Sequence, residues 1–159
     1  MSEEQYQKNR RHFRIYTASA FLIYLLIVLH ITIFSREPEE RRIDTELFRS
    51  YRLLFVEKND FYYGQIVCNI LMTVPFGILM PLLNPKIRSF MKIILSGLLF
   101  SLIIELVQYF TGRGLFEFDD LFNNTVGAII GYLLFLYFYW RYRVNMKKLR
   151  RSQELYGKQ

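Results

Sequence analysis

Residues 91–110 read MKIILSGLLFSLIIELVQYF, twenty positions with Lys92 at the start and a single acid, Glu105, well inside. A helix of about 20 residues rises about 30 Å, the thickness of a bilayer's hydrocarbon core. Three more stretches can cross in the same way, from about Ile15 to Phe34, Ile66 to Leu83 and Leu121 to Trp140. With 52% of the chain hydrophobic and 18% aromatic, an integral membrane protein is expected rather than a soluble domain. The expected fold is all-α: a polytopic bundle of four transmembrane helices, with residues 1–159 forming one domain.

The charges orient the bundle. Residues 1–14 carry Lys8, Arg10, Arg11 and Arg14 against Glu3 and Glu4. The link between the second and third spans carries Lys86 and Arg88, and the tail from Arg141 holds seven Lys or Arg against Glu154. The 35–65 connection is balanced, with six basic and seven acidic residues, and the 111–120 connection sets Arg113 against Glu117, Asp119 and Asp120. Basic residues in short flanks are retained in the cytoplasm, so both termini and the 84–90 link should be cytoplasmic and the 35–65 and 111–120 loops outside. The basic tail reads as a topology anchor against anionic lipid, not as a nucleic-acid site. No small-residue cleavage site follows the first span, which reads as an uncleaved anchor.

Few residues outside the later spans suggest chemistry. Cys68 stands alone, so an internal disulfide or a multi-cysteine metal site is excluded, and it reads as an apolar filler. His30 reads as an interfacial amphipathic residue. In the first outer loop Leu47, Phe48, Tyr51, Leu54 and Phe55 recur at helical spacing, suiting a short helix that lies on the membrane surface or caps the bundle. Phe61-Tyr62-Tyr63 looks like an aromatic belt.

The later spans carry the informative residues. Pro75, in Pro75-Phe76-Gly77, removes one helical hydrogen bond and should kink its helix. Gly127 and Gly131 form a small-x-x-x-small pair that admits a close neighbour. With the orientation above, Asn69 lies about one turn below the outer surface, Glu105 and Gln108 lie one to two turns below it, and Asp120, Asn124 and Thr125 stand at the outer end of the last span. Three helices thus bring polar groups to one layer, with Arg113 in the loop above. A carboxylate at that depth loses several kcal/mol unless it is paired, hydrated or protonated. A Glu105–Arg113 ion pair buttressed by Asn69, Gln108 and Asn124 is one solution; a protonated Glu105 is the other. Helix-to-helix glue would explain Asn69 or Thr125 alone. It would not call for an intramembrane acid with Glu117, Asp119 and Asp120 above it. No histidine accompanies these acids, so zinc is not expected, their spacing matches no known loop for a hard cation, and no cofactor is expected.

These residues, in this order, resemble the VanZ-like family, small bacterial membrane proteins named after a teicoplanin-resistance protein. The matching pieces are Asn69 six residues before Pro75-Phe76-Gly77, then Glu105-Leu106-Val107-Gln108, then Arg113, then Glu117-Phe118-Asp119-Asp120-Leu121-Phe122-Asn123-Asn124-Thr125-Val126-Gly127. They span about residues 65–135. Three departures stand out. Glu117 replaces the family's first Asp, Thr73 stands where an apolar residue is usual, and Asp44-Thr45-Glu46-Leu47-Phe48 lacks the family's Pro. The resemblance implies a bacterial plasma-membrane protein with a role at the outer surface, where teicoplanin meets cell-wall precursors.

Three functions remain open on these residues. The preferred one is binding of an outer-leaflet amphiphile in an outward-facing polar pocket: a membrane lipid, a lipid-linked wall precursor or a lipoglycopeptide. The second is an intramembrane enzyme with Glu105 or Asp120 as acid or base, although no nucleophile is evident. The third is a transporter or flippase subunit; four helices would then have to homo-oligomerise to make a path. The orientation has a direct test. With cysteines introduced as Asn59→Cys, Ser89→Cys, Gly114→Cys and Ser152→Cys, impermeant thiol reagent on intact cells should label the first and third alone. Labelling of the Ser89→Cys chain from outside would overturn it.

Overall fold

The computed structural model describes residues 3–156, with side chains to residue 152. Lys158 of the basic tail lies outside the described residues. Four long helices form the bundle: α1 (Glu3–Leu29), α3 (Phe61–Leu83), α4 (Phe90–Thr111) and α5 (Phe118–Tyr156). A short helix, α2 (Arg49–Phe55), lies in the first connection. All four long helices are long and apolar enough to cross a membrane. They run further than the apolar stretches alone indicate, because α1 and α5 continue through their charged flanks.

Two further elements are local. The end of α1 widens into a π-helical turn, His30–Phe34, closed by the Ser35 N–H donating to the His30 carbonyl at 2.9 Å. Two residues of the first connection, β1 (Ile43–Asp44), pair in parallel with β2 (Phe116–Glu117). The loop end of the bundle therefore holds the first and third connections together. The opposite, terminal end holds the start of α1, the 84–89 link and the far end of α5.

The small-residue positions organise the bundle around α5. A side chain at Gly127 would collide with the Ile70 carbonyl and Thr73 Oγ1, and one at Gly131 with the Val74 carbonyl. A side chain at Gly77 would strike the Ala128 carbonyl from the α3 side. Gly97 of α4 faces the same residue, and a Cβ there would stand 2.8 Å from Ala128 Cβ. Ala128 is fully buried between the two glycines. Gly127 and Gly131 lie against a helix, as their spacing predicts, and such close approach maximises backbone van der Waals contact where no hydrophobic effect drives association.

Aromatic side chains fill the rest. Phe76 and Phe100 stack with ring centroids 4.5 Å apart, and Phe21 and Tyr24 of α1 close over them. Helix α1 uses one stripe for this, with Thr17, Tyr24 and Val28 buried, while Leu22, Ile23, Leu26 and Ile27 stay exposed in the isolated chain. At the terminal end Arg88 Nε donates to the Pro81 carbonyl at 2.8 Å, and its guanidinium lies over the Phe135 and Tyr139 rings. Cys68 is exposed on α3 and is not an interior filler. His30 is exposed and stacks on Phe34.

Gly131→Leu should therefore force α3 and α5 apart. Overpacking of this kind costs about 1–3 kcal/mol, so its thermal unfolding midpoint in detergent should fall clearly below that of Ile130→Leu, a change on the exposed side. Equal midpoints for the two variants would contradict the packing.

Candidate functional site

At the loop end, polar side chains from three helices form one buried network. Asn69 Nδ2 donates to Asp120 Oδ1 across α3 and α5. Thr73 Oγ1 donates to the Asn124 carbonyl at 2.6 Å, so the residue that departs from the apolar family pattern ties the same two helices. Asn124 Nδ2 donates to Ser101 Oγ at 2.9 Å, joining α4. Glu105 is 1% exposed, Asp120 3% and Asn124 1%. The Asp120 carboxyl is near enough to Glu105 to act on it electrostatically.

The acids take their hydrogen bonds largely from backbone and amide N–H groups. Glu105 Oε2 accepts from the Glu117 N–H at 3.0 Å. Glu117 Oε2 accepts from Gln65 Nε2 at 2.6 Å. Asp119 accepts from the N–H groups of Phe48 and Ser50 and so holds the start of α2. Phe48 sits in the left-handed region there, φ 65°, which is uncommon for a residue with a Cβ. Tyr51 Oη donates to Asn123 Oδ1 at 2.6 Å. The short helix of the first connection thus caps α5, one of the two roles that its amphipathic pattern allows. Burial pushes the Glu117 carboxyl above the usual carboxylate range, against the Gln65 bond that favours its ionised form.

Arg113 does not pair with Glu105, the first of the two arrangements that the sequence allows. Gly112, in the left-handed conformation at φ 64°, ends α4 and turns the chain. Arg113 then points at the end of α1, where Nη1 donates to the carbonyls of Arg36 at 2.8 Å and Ile33 at 3.5 Å. Arg113 thereby ties the third connection to the segment that leaves α1. Arg36 is a cation close enough to act electrostatically on Glu105, Glu117 and Asp120. Among the described residues it is in ion-pair contact with none of them; the pairs present are Arg49–Asp44 and Arg52–Glu46, at the rim.

Of the predicted site residues, Asn69, Glu105, Asp120 and Asn124 come together, with Glu117 directly above. Gln108 is buried but turned toward α1, its Nε2 donating to the Thr32 carbonyl at 3.2 Å. Thr125 Oγ1 donates back to the Leu121 carbonyl of its own helix at 2.7 Å and, among the described residues, to no other element. Gln65 and Ser101 were missed, although each stands four residues before a recognised site residue and so shares its face. Nothing in the spacing marks Arg36. Two acceptors in this layer, Gln108 Oε1 and Asn124 Oδ1, are buried without a partner among the described residues. Above the network lies an open cleft of about 410 Å³, bounded by Arg42, Asp44, Arg49, Tyr62, Glu117 and Asp119.

The fold and this layer define a class: a four-span membrane bundle with a buried carboxylate network under a polar loop cap. The chain belongs to the VanZ/LLP1 family, whose sequence model matches residues 21–139. It is similar to Protein VanZ of Enterococcus faecium, with 27% identity over 139 residues, 87% of this chain and 83% of that protein. No solved structure matches it.

The cap rests on Asp119. Asp119→Ala removes the acceptor for two N–H groups, and a hydrogen bond to a charged group contributes about 1.5–3 kcal/mol. Amide exchange should accelerate across residues 43–55 while α3 and α4 keep their protection. Unchanged exchange in 43–55 would show that the cap is held by other contacts.

Proposed function

We propose that this protein binds the polar head of an outer-leaflet amphiphile at the loop end of the bundle. The ligand class is a membrane lipid, a lipid-linked cell-wall precursor or a lipoglycopeptide, and the consequence is a change in glycopeptide (teicoplanin) susceptibility. The observation that carries the reading is the open cleft of mixed charge set on a buried acid network in which Asn124 Oδ1 and the neighbouring Asn123 Nδ2 lack partners among the described residues. Helix glue alone would complete its own hydrogen bonds, since a buried unpaired polar group costs about 1–3 kcal/mol. Exposed aromatic residues near the cleft, Phe48, Phe55, Phe61 and Tyr63, would sit at the headgroup boundary beside the ligand's apolar part. Membership of the family supports the link to glycopeptides by analogy. The positive-inside pattern supports an outward orientation, with both termini in the cytoplasm.

Glu105→Gln keeps the shape of the side chain and removes its ionisable group. In cells it should insert and accumulate normally, yet return teicoplanin susceptibility to that of cells lacking the protein. In detergent, affinity for a lipid-linked precursor or lipoglycopeptide should fall, because Glu105 holds the backbone N–H of Glu117, whose side chain lines the cleft. A normally expressed Glu105→Gln protein that keeps full affinity and phenotype would assign the network to helix packing.

A further inference from the structure

The terminal end carries a second cleft, far from the acid network. Its volume is about 540 Å³, and it lies between the first turns of α1 and the last residue of α3. Gln7, Arg10, Arg11 and Arg14 bound it on the polar side, and Ile15, Ala18 and Leu83 on the apolar side. Helical spacing explains the arrangement. Gln7, Arg11, Arg14 and Ala18 follow one another at intervals of four, three and four, so they share a face of α1. That face lies beside the stripe of Thr17, Tyr24 and Val28 that packs on the bundle, and it comes up against Leu83 where α3 ends.

Three guanidinium groups gather here. Among the described residues none of them has an ion-pair partner. Arg10 lies over the Tyr6 ring, 5.7 Å from its centroid, and all three arginines are exposed. Unpaired like charges at adjacent positions repel one another, so the cluster is unfavourable until an anion joins it. The guanidinium fork matches phosphate oxygens in two parallel hydrogen bonds. Immediately below, Ile15 is 51% exposed in the isolated chain and continues into the lipid-facing residues Leu22, Ile23 and Leu26. A phosphate held by the arginines would thus have an apolar wall running away from it into the bilayer.

We propose that this cleft is a binding site for an anionic phospholipid, with the headgroup phosphate taken by Arg10, Arg11 and Arg14 and the first acyl segments laid against Ile15, Ala18 and Leu83. Basic pockets beside transmembrane helices recognise phosphorylated headgroups in this way. The apolar wall favours a lipid over free phosphate, which has nothing to place there. The site is independent of the loop-end reading, being at the other end of the bundle and using none of its residues.

The test uses the full chain, purified and delipidated in neutral detergent. Thermal unfolding is followed while diphosphatidylglycerol, phosphatidylcholine or glycerol phosphate is titrated. Diphosphatidylglycerol should stabilise the protein, and the other two should not at the same concentrations. In the triple variant Arg10→Gln/Arg11→Gln/Arg14→Gln, the concentration giving the half-maximal shift should rise at least about tenfold, given the contribution of each basic residue at an anionic surface. A charge-matched control, Lys147→Gln/Lys148→Gln/Arg150→Gln, should give a clearly smaller rise, because it removes general attraction by the tail and leaves the cleft intact. Ala18→Trp fills the cleft without changing charge, and it too should weaken the lipid response. Equal weakening by the two triple variants would mean attraction to net charge alone and would overturn the site. So would an equal response to glycerol phosphate, which would make it a free-phosphate site, or an unaltered lipid response in Ala18→Trp.

Discussion

The close approach of α3 to α5 is the constraint on which the loop end depends. Gly77, Gly127 and Gly131 let the two backbones meet where any side chain would collide with a carbonyl. At that separation short polar side chains can bridge the helices. Asn69 reaches Asp120, and Thr73 reaches the Asn124 carbonyl, one turn from Gly127. Were the helices further apart, neither contact could form: Thr73 would keep only the carbonyls of its own helix, and the buried Asp120 carboxyl would lose the Asn69 amide in a medium of low dielectric. Packing by small residues and burial of polar ones are therefore one arrangement at this end. Gly97 extends it to α4, whose Ser101 and Glu105 follow at intervals of four on the same face.

Within that frame, the acids are held by fixed dipoles more than by opposite charge. Burying an ion pair requires desolvating both partners, and the Coulombic gain often fails to repay that. Here Glu105 takes a backbone N–H from Glu117, and Asp119 takes two from Phe48 and Ser50. These donors cost no side-chain entropy, because the chain that carries them is already ordered by the parallel pairing of Ile43–Asp44 with Phe116–Glu117. Arg36 adds a positive potential at a distance. The first connection is consequently part of the buried network and not merely a link between spans.

What the sequence revealed and what it hid divide along physical lines. The four spans follow from runs of apolar residues, and the glycine stripe follows from a four-residue interval; both are local patterns in one dimension. The shared depth of Asn69, Glu105, Asp120 and Asn124 follows from helical rise once the order of the spans is known. The partner of Glu105 was not legible. Arg113 was the nearest cation along the chain, but Gly112 turns it toward the carbonyls at the end of α1, and the cation that acts on Glu105 electrostatically is Arg36, 69 positions before it. Long-range contacts of this kind depend on how loops fold over one another, and no periodicity records that. The π-turn at His30–Phe34 and the two-residue strand pair were missed for the same reason, since each has too few residues to show a period. Cys68 was misread because a span in lipid exposes apolar positions that a soluble helix would bury.

The same geometry limits how a ligand can meet the acids. Glu105 lies beneath the Glu117 backbone that donates to it, so the open cleft presents Glu117 and Asp119 first. A headgroup that stays in the cleft would meet those two carboxylates together with Arg42 and Arg49. To touch Glu105 it would have to displace the Glu117 N–H, and with it the strand pairing that orders the cap. The two levels are thus coupled through a single peptide unit: its N–H donates to Glu105, while the side chain of the same residue lines the cleft.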